Sequence, residues 1–263
     1  MGRRWTWTRF IRGRFEHPCW SPPPRSRPLH PGWPLPRQQV AALPLRPPLS
    51  LWLRHPRRAA LFVAVRPYTM LPYARLSHLY ALADQCNRER IPGAFVQCGI
   101  YRGGSAAVLA ATALNRPVQL FDSFQGCPSP GPDDVSMHGR HGEAGEAAAS
   151  MADVQGLLRR LDMHRNPLVT IYPGWFHDTI PSAAKEMGPL ALLHLDGDWF
   201  ESTKVCMEHL YPLVVSGGIV YADDMGYWLG TKRAIAEYFV DRGMEMPAVQ
   251  WVDHTGAWWR KGC

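Results

Sequence analysis

Ala94-Phe95-Val96-Gln97-Cys98-Gly99-Ile100-Tyr101-Arg102-Gly103-Gly104-Ser105 is the stretch that decides the fold. A short apolar run of strand length breaks straight into a glycine-rich turn. Ser105 is then placed to cap a helix of small residues, Ala106 to Leu114. Upstream, Leu71, Arg75, Leu79, Leu82 and Cys86 recur at helical spacing between Thr69 and Arg90, and Pro92-Gly93 ends that helix. Downstream, Val118 to Phe121 reads as a second strand that ends on Asp122.

The alternation then continues to the C-terminus. A loop rich in Gly, Pro and Asp, Ser123–Glu143, leads to a helix from Ala147 to Leu161. Strands follow at Leu168–Tyr172, Leu190–Leu195 and Gly218–Ala222, and helices at Asp178–Glu186, Glu201–Leu210 and Thr231–Val240. Val249–Val252 and Ala257–Arg260 form a terminal hairpin around Thr255-Gly256. Strands alternating with helices predict an α/β, Rossmann-like domain. Its sheet is mostly parallel and seven-stranded, with helices on both faces and an antiparallel C-terminal hairpin.

Composition limits what such a domain does. Residues 1–60 hold 12 arginines and no lysine against one acid, Glu16, while the other 203 residues carry 17 basic and 21 acidic groups. The basic excess thus belongs to the leader, which also holds 12 of the 25 prolines. Proline at that density opposes helix and a packed core. Residues 1–64 are expected to be a disordered extension, and residues 65–263 the domain. A mildly acidic domain with no basic stripe is a poor nucleic-acid binder. The six cysteines show no metal-like spacing and read as thiols in a reducing, cytoplasmic setting. No apolar run is long enough to span a membrane.

In an open α/β sheet, ligands bind beyond the carboxyl ends of the strands. The polar residues of interest lie there: Gly99–Gly104, Asp122, Gly174-Trp175, Asp196 with Asp198, and Asp223 with Asp224. The glycines are not spaced G-x-G-x-x-G, so the dinucleotide fingerprint fails. They still allow a ligand close to the backbone, and Asp122 can accept from both ribose hydroxyls. A nucleoside cofactor without pyrophosphate fits, of which S-adenosylmethionine is the common one. Candidate cofactor positions are Gln97, Gly99, Arg102, Gly103 and Ser105 around the first turn. Asp122, Ser123 and Phe124 follow the second strand, and Gly174 and Trp175 the third. Asp196, Asp223 and Asp224 are hard oxygen donors without His or Cys beside them, a set suited to Mg²⁺. Converging carboxylates repel unless a cation intervenes. Asp198 is placed to take a proton from an acceptor hydroxyl.

Jointly, QCGIYRGGSA (97–106), FDSFQGCPSP (121–130), GWFHDTIP (174–181), LHLDGDWFEST (193–203), LYPLVVSGGIVYADD (210–224) and GAWWRK (256–261) resemble the macrocin O-methyltransferase (TylF-like) family. Its members methylate sugar hydroxyls of glycosylated antibiotics. The resemblance runs from about Val65 to the end. It implies a class I methyltransferase fold, Mg²⁺ on Asp196, Asp223 and Asp224, and Asp198 or Asp196 as base. The expected partner is a small-molecule hydroxyl acceptor, glycosylated, and a homo-oligomer is compatible with the sequence. Two departures stand out: Gln97 where the pattern has Glu, and Phe200 where it has Tyr.

Other residues carry simpler readings. His138 and His141 fall in a lid-like loop and read as solvated, and His194 reads as a buried, hydrogen-bonded strand residue. Trp175 and Phe176 suit an adenine pocket or plain core packing. Trp258 and Trp259 alternate, one in and one out. The competing functions are an NAD(P)-dependent oxidoreductase, which the missing fingerprint disfavours, and a non-catalytic nucleoside-binding module, which would not need the acids.

Overall fold

The computed structural model describes residues 47–262. Two short helices, α1 (Leu49–Arg54) and α2 (Pro56–Val65), precede α3 (Tyr73–Arg88). The repeating part follows: β1 (Ala94–Cys98), α4 (Gly104–Thr112), β2 (Val118–Asp122), α5 (Met151–Arg160), β3 (Val169–Pro173), α6 (Phe176–Glu186) and β4 (Leu190–Leu195). Then come α7 (Phe200–His209), β5 (Val214–Ala222), α8 (Leu229–Val240), β6 (Gln250–Trp251) and β7 (Ala257–Arg260).

The strands make one seven-stranded sheet in the order β3-β2-β1-β4-β5-β7-β6. β1 to β5 are parallel, and β7 is antiparallel to both β5 and β6. The chain winds outward from β1 to β3, then returns to lay β4 against the other side of β1. The topological switch point therefore lies between β1 and β4. Both strands are buried along their whole length, which explains their near-continuous apolar sequence. Register aligns their ends: Cys98 pairs with Phe121 and with Leu195, and Leu195 with Ala222. Gly99, Asp122, Asp196 and Asp223 consequently emerge along one edge.

Each sheet face has its own core. Val96, Cys98, Leu193, Val220 and Trp259 pack with Ile180, Met207, Ile235 and Phe239 of α6, α7 and α8. Phe95, Leu192, Ile219 and Trp258 pack with Leu79, Leu82, Leu109 and Val154 of α3, α4 and α5. Trp258 and Trp259 do alternate, but both are buried, because helices cover both faces of the hairpin.

Three local expectations change. Packing extends further towards the N-terminus than residue 65: Ala59, Phe62 and Val65 of α2 are buried, the last two against Leu71, Leu76, Val108 and Leu157. The boundary drawn at 65 thus falls at the end of a docked helix, while residues 1–46 of the expected extension lie outside the described residues. Gly103, not Ser105, precedes α4, at φ 90°, and Ser105 sits buried in the first turn. α5 begins at Met151 and not Ala147, because Ser150 and Asp153 form a reciprocal capping box. Among the described residues the cysteines Cys86, Cys98, Cys127 and Cys206 are free thiols, and Cys19 and Cys263 fall outside them. No helix among those residues is long and apolar enough to cross a membrane.

Candidate active site

A cavity of about 690 Å³ opens at the carboxyl ends of the strands, over the switch point. Its floor is the turn after β1. Gly99 has φ 90°, and a Cβ there would lie 1.9 Å from the Asp196 carbonyl oxygen, so only glycine fits. Asp122 organises this turn. Its Oδ2 accepts from the backbone N–H of Ile100 (2.8 Å) and Tyr101 (3.0 Å), and its Oδ1 from that of Phe124 (2.7 Å). Burial raises the Asp122 pKa, and the three amides oppose that shift. The carboxylate expected to take both ribose hydroxyls is thus already largely engaged, with a lone pair left only on Oδ1.

The other expected cofactor positions divide. Gly99, Ser105, Asp122, Ser123 and Trp175 line the cavity, together with Ile100, Tyr101 and Phe176. Gln97 lies beneath it, fully buried, donating from Nε2 to the Gly99 carbonyl (2.8 Å) and the Ser105 hydroxyl (2.7 Å), while its Oε1 has no partner. Ser123 shapes the turn, donating to the Gly126 carbonyl at 2.9 Å. Phe124 contributes its backbone at φ 58°, and Gly174 holds the turn into α6 at φ 139°. Arg102 is committed elsewhere. Its guanidinium pairs with Asp153 of α5 at 3.2 Å and donates to the Pro67 carbonyl, outside the cavity. Gly103 serves helix geometry and contacts Val154, also outside it.

On the other side of the cavity stand the acids. Asp196, Asp198 and Asp224 each bring a carboxylate oxygen within 4.8 Å of the others. Burial, and then the neighbouring carboxylates, push Asp196 and Asp224 well above the ordinary carboxylate range. Asp198 is also raised by burial, against hydrogen bonds from Asp224 and from the Cys127 thiol, whose Sγ lies 3.3 Å from Oδ2. Such a set is unstable as three free anions and well matched to a hard dication. Asp223, expected among the ligands, is not in this group. Its Oδ2 pairs with Arg75 at 2.9 Å, and its Oδ1 accepts from the Tyr221 hydroxyl at 3.1 Å. Asp198, expected only as a base, takes its place in the geometry.

The segment between β2 and α5 closes one wall. Asp134 is buried in it and accepts from the Phe200 N–H (2.7 Å) at the start of α7 and from the Gly131 N–H (2.7 Å). The Trp199 indole donates to the Pro128 carbonyl at 2.8 Å. Cys127, Arg140 and Glu146 of this segment line the cavity together with Tyr227, and Arg140 pairs with Glu146 at 2.6 Å. His138 and His141 are exposed and outside the lining.

Sequence reasoning missed Arg75, Cys127, Asp134, Glu146 and Tyr227. Only Arg75 left a signal, a charge within the apolar stripe of its helix. His194, expected to be hydrogen-bonded, is buried with no partner on either nitrogen. It stacks on Tyr221 at 4.8 Å, and burial pushes its pKa down to about 4.

A family model described as Macrocin-O-methyltransferase (TylF) matches residues 55–261. The chain belongs to the macrocin O-methyltransferase family. It is 32% identical over 207 residues to a mycinamicin III 3''-O-methyltransferase of Micromonospora griseorubida, covering 74% of this chain and 78% of that one. It is 34% identical over 202 residues to the 8-demethyl-8-(2,3-dimethoxy-alpha-L-rhamnosyl)-tetracenomycin-C 4'-O-methyltransferase of Streptomyces olivaceus, covering 73% and 75%. Among solved structures, the O-methyltransferase NovP superposes with a TM-score of 0.67 at 30% identity, covering 74% of this chain and 83% of that one. As a member of this family, the protein is an O-methyltransferase on a class I methyltransferase fold. The family match begins ahead of Val65, at His55 immediately before α2.

Proposed function

We propose that this O-methyltransferase moves a methyl group from S-adenosylmethionine to a sugar hydroxyl of a glycosylated small molecule, with a dication such as Mg²⁺ at the acidic cluster. The observation that carries the reading is the meeting, in one cavity, of the Gly99 turn with Asp196, Asp198 and Asp224. The names of the two bacterial relatives favour a sugar hydroxyl as acceptor. A cytoplasmic setting suits the four free thiols.

S-adenosylmethionine, when bound, supplies a methyl group activated on a sulfonium. The Gly99 turn lets it approach the backbone, Asp122 offers its remaining Oδ1 lone pair to a ribose hydroxyl, and Trp175 and Phe176 give an apolar wall. A dication held by the three carboxylates would neutralise their repulsion and lower the pKa of a nearby acceptor hydroxyl. Asp198 is also the base: beside its place at the dication, its Oδ2 accepts from the weakly donating Cys127 thiol and keeps a lone pair. With that it would take the acceptor's proton as the O–CH3 bond forms and the S–CH3 bond of the sulfonium breaks. The wall built on Asp134 and Trp199 excludes water and orients the acceptor, from which much of the rate is expected.

The test is methyl transfer from labelled S-adenosylmethionine to a panel of glycosylated aglycones, with and without EDTA. Transfer abolished by EDTA and restored by Mg²⁺ supports the reading. Full transfer in EDTA rejects the dication.

A further inference from the structure

Asp223 adjoins Asp224 in sequence, follows the strand beside that of Asp196 and raises the pKa of all three clustered acids, yet it is not one of the three whose oxygens meet. The reason is Arg75, from the first turn of α3. Its Nη1 donates to Asp223 Oδ2 at 2.9 Å, its Nε to Asp253 Oδ2 at 2.6 Å, and its Nη2 to the Thr255 hydroxyl. The three charged side chains are 12%, 5% and 7% exposed, so water screens them little. One guanidinium serves two carboxylates. Burial alone would lower the Arg75 pKa, but Asp223 and Asp253 more than reverse that, so the cation is retained. Asp253 is itself fixed, since its Oδ1 accepts from the N–H groups of Thr255 (2.9 Å) and Gly256 (2.8 Å) in the turn before β7.

We propose that Arg75 is a positioning residue that competes with the dication for the Asp223 carboxylate, and so sets the affinity of the metal site. This rests on the reading of Asp196, Asp198 and Asp224 as that site. A carboxylate cannot give one oxygen at full strength to both a guanidinium and a dication. A dication drawn to the cluster pulls on Asp223, and Arg75 then rests on Asp253 and Thr255. Occupancy of the metal site is thereby tied to the contact of α3 with the β6–β7 turn, and Arg75 lines the same cavity as Asp198.

The experiment is titration of the full chain with Mn²⁺ alone, with free ion read by electron paramagnetic resonance. Wild type, Arg75→Met, Asp223→Asn and the double variant make a cycle, with Asp253→Asn alongside. Arg75→Met is expected to bind Mn²⁺ roughly tenfold more tightly, within the range for directly coupled neighbours. That gain should vanish in the Asp223→Asn background. Asp253→Asn should bind several-fold more weakly, because the guanidinium then rests on Asp223. Unchanged affinity in Arg75→Met overturns the proposal. So does an equal gain with and without Asp223, which would be long-range charge alone. If Arg75→Met does not fold, Asp253→Asn decides: weaker binding supports the proposal, and unchanged or tighter binding overturns it. No saturable Mn²⁺ binding by wild type sinks the metal reading and the proposal with it. Saturable binding by wild type that the variants do not alter sinks the proposal alone.

Discussion

Asp198 has φ 60°, a left-handed backbone position that Asp and Asn tolerate better than other side chains with a Cβ. Asp198→Asn is therefore a mild structural change and a severe chemical one. As base, Asp198 should account for roughly 10²–10⁴-fold in rate, measured with a competent acceptor at saturating cofactor. A rate near wild type would remove it from that role. His194 gives a prediction of different kind. Its pKa is pushed down to about 4 from 6.5 by burial, so between those values the unfolded chain binds a proton that the native one refuses. The stability this group contributes is therefore lost as pH falls through that window, by on the order of 3 kcal/mol. The raised carboxylates act in the opposite sense, so the prediction is a difference. Between pH 7 and pH 4.5, denaturant titrations should show wild type losing more stability, or gaining less, than His194→Phe, which keeps the stack on Tyr221. An equal change in the two proteins would show that His194 carries no acid sensitivity.

At the scale of elements, helix α2 is the piece the sequence concealed. Its neighbourhood is rich in Arg and Pro, and the apolar face of Ala59, Phe62 and Val65 is too short to show a clear period. Phe62 nonetheless fills a site between α3 and α4, with Tyr73 and Tyr80 edge-on at 5.3 and 6.0 Å. Phe62→Ala should cost roughly 3–5 kcal/mol, read by urea denaturation, and a loss under 1 kcal/mol would make α2 a loosely attached arm. Deleting residues 1–46 should leave stability and cofactor binding intact, whereas deletion through residue 65 should lower both. The wall between β2 and α5 was hidden for another reason. Asp134 caps α7 from 66 residues away, and only the fold brings the two together. By contrast, β1 and β4 were legible because strands buried on both faces must be apolar. β2 and the buried second half of β5 were legible because each, like them, ends abruptly on Gly or Asp, whereas the partly exposed start of β5, residues 214–217, was not.

Across the whole molecule, the switch point between β1 and β4 explains why the acids converge, and that much followed from where the strands end. Which acids meet did not follow, because a single Arg from α3 removes Asp223 from the group. The same convergence shapes stability. Asp196 and Asp224 are raised above the ordinary 3.8, so the native chain holds more protons than the unfolded one above that pH. Stability contributed by these two groups is present below 3.8 and lost as pH rises through their raised values. A dication should reverse that loss, so the gain in Tm on adding Mg²⁺ should grow from pH 5 to pH 8. A gain independent of pH would argue against binding at these carboxylates. The central claim, that the cavity is built for an S-adenosyl nucleoside, is tested most directly by calorimetric titration with S-adenosylhomocysteine. One saturable site per chain is expected, retained in EDTA and weakened in Asp122→Ala, which loses the clamp on Ile100, Tyr101 and Phe124. No heat with S-adenosylhomocysteine, together with saturable binding of NAD, would contradict it.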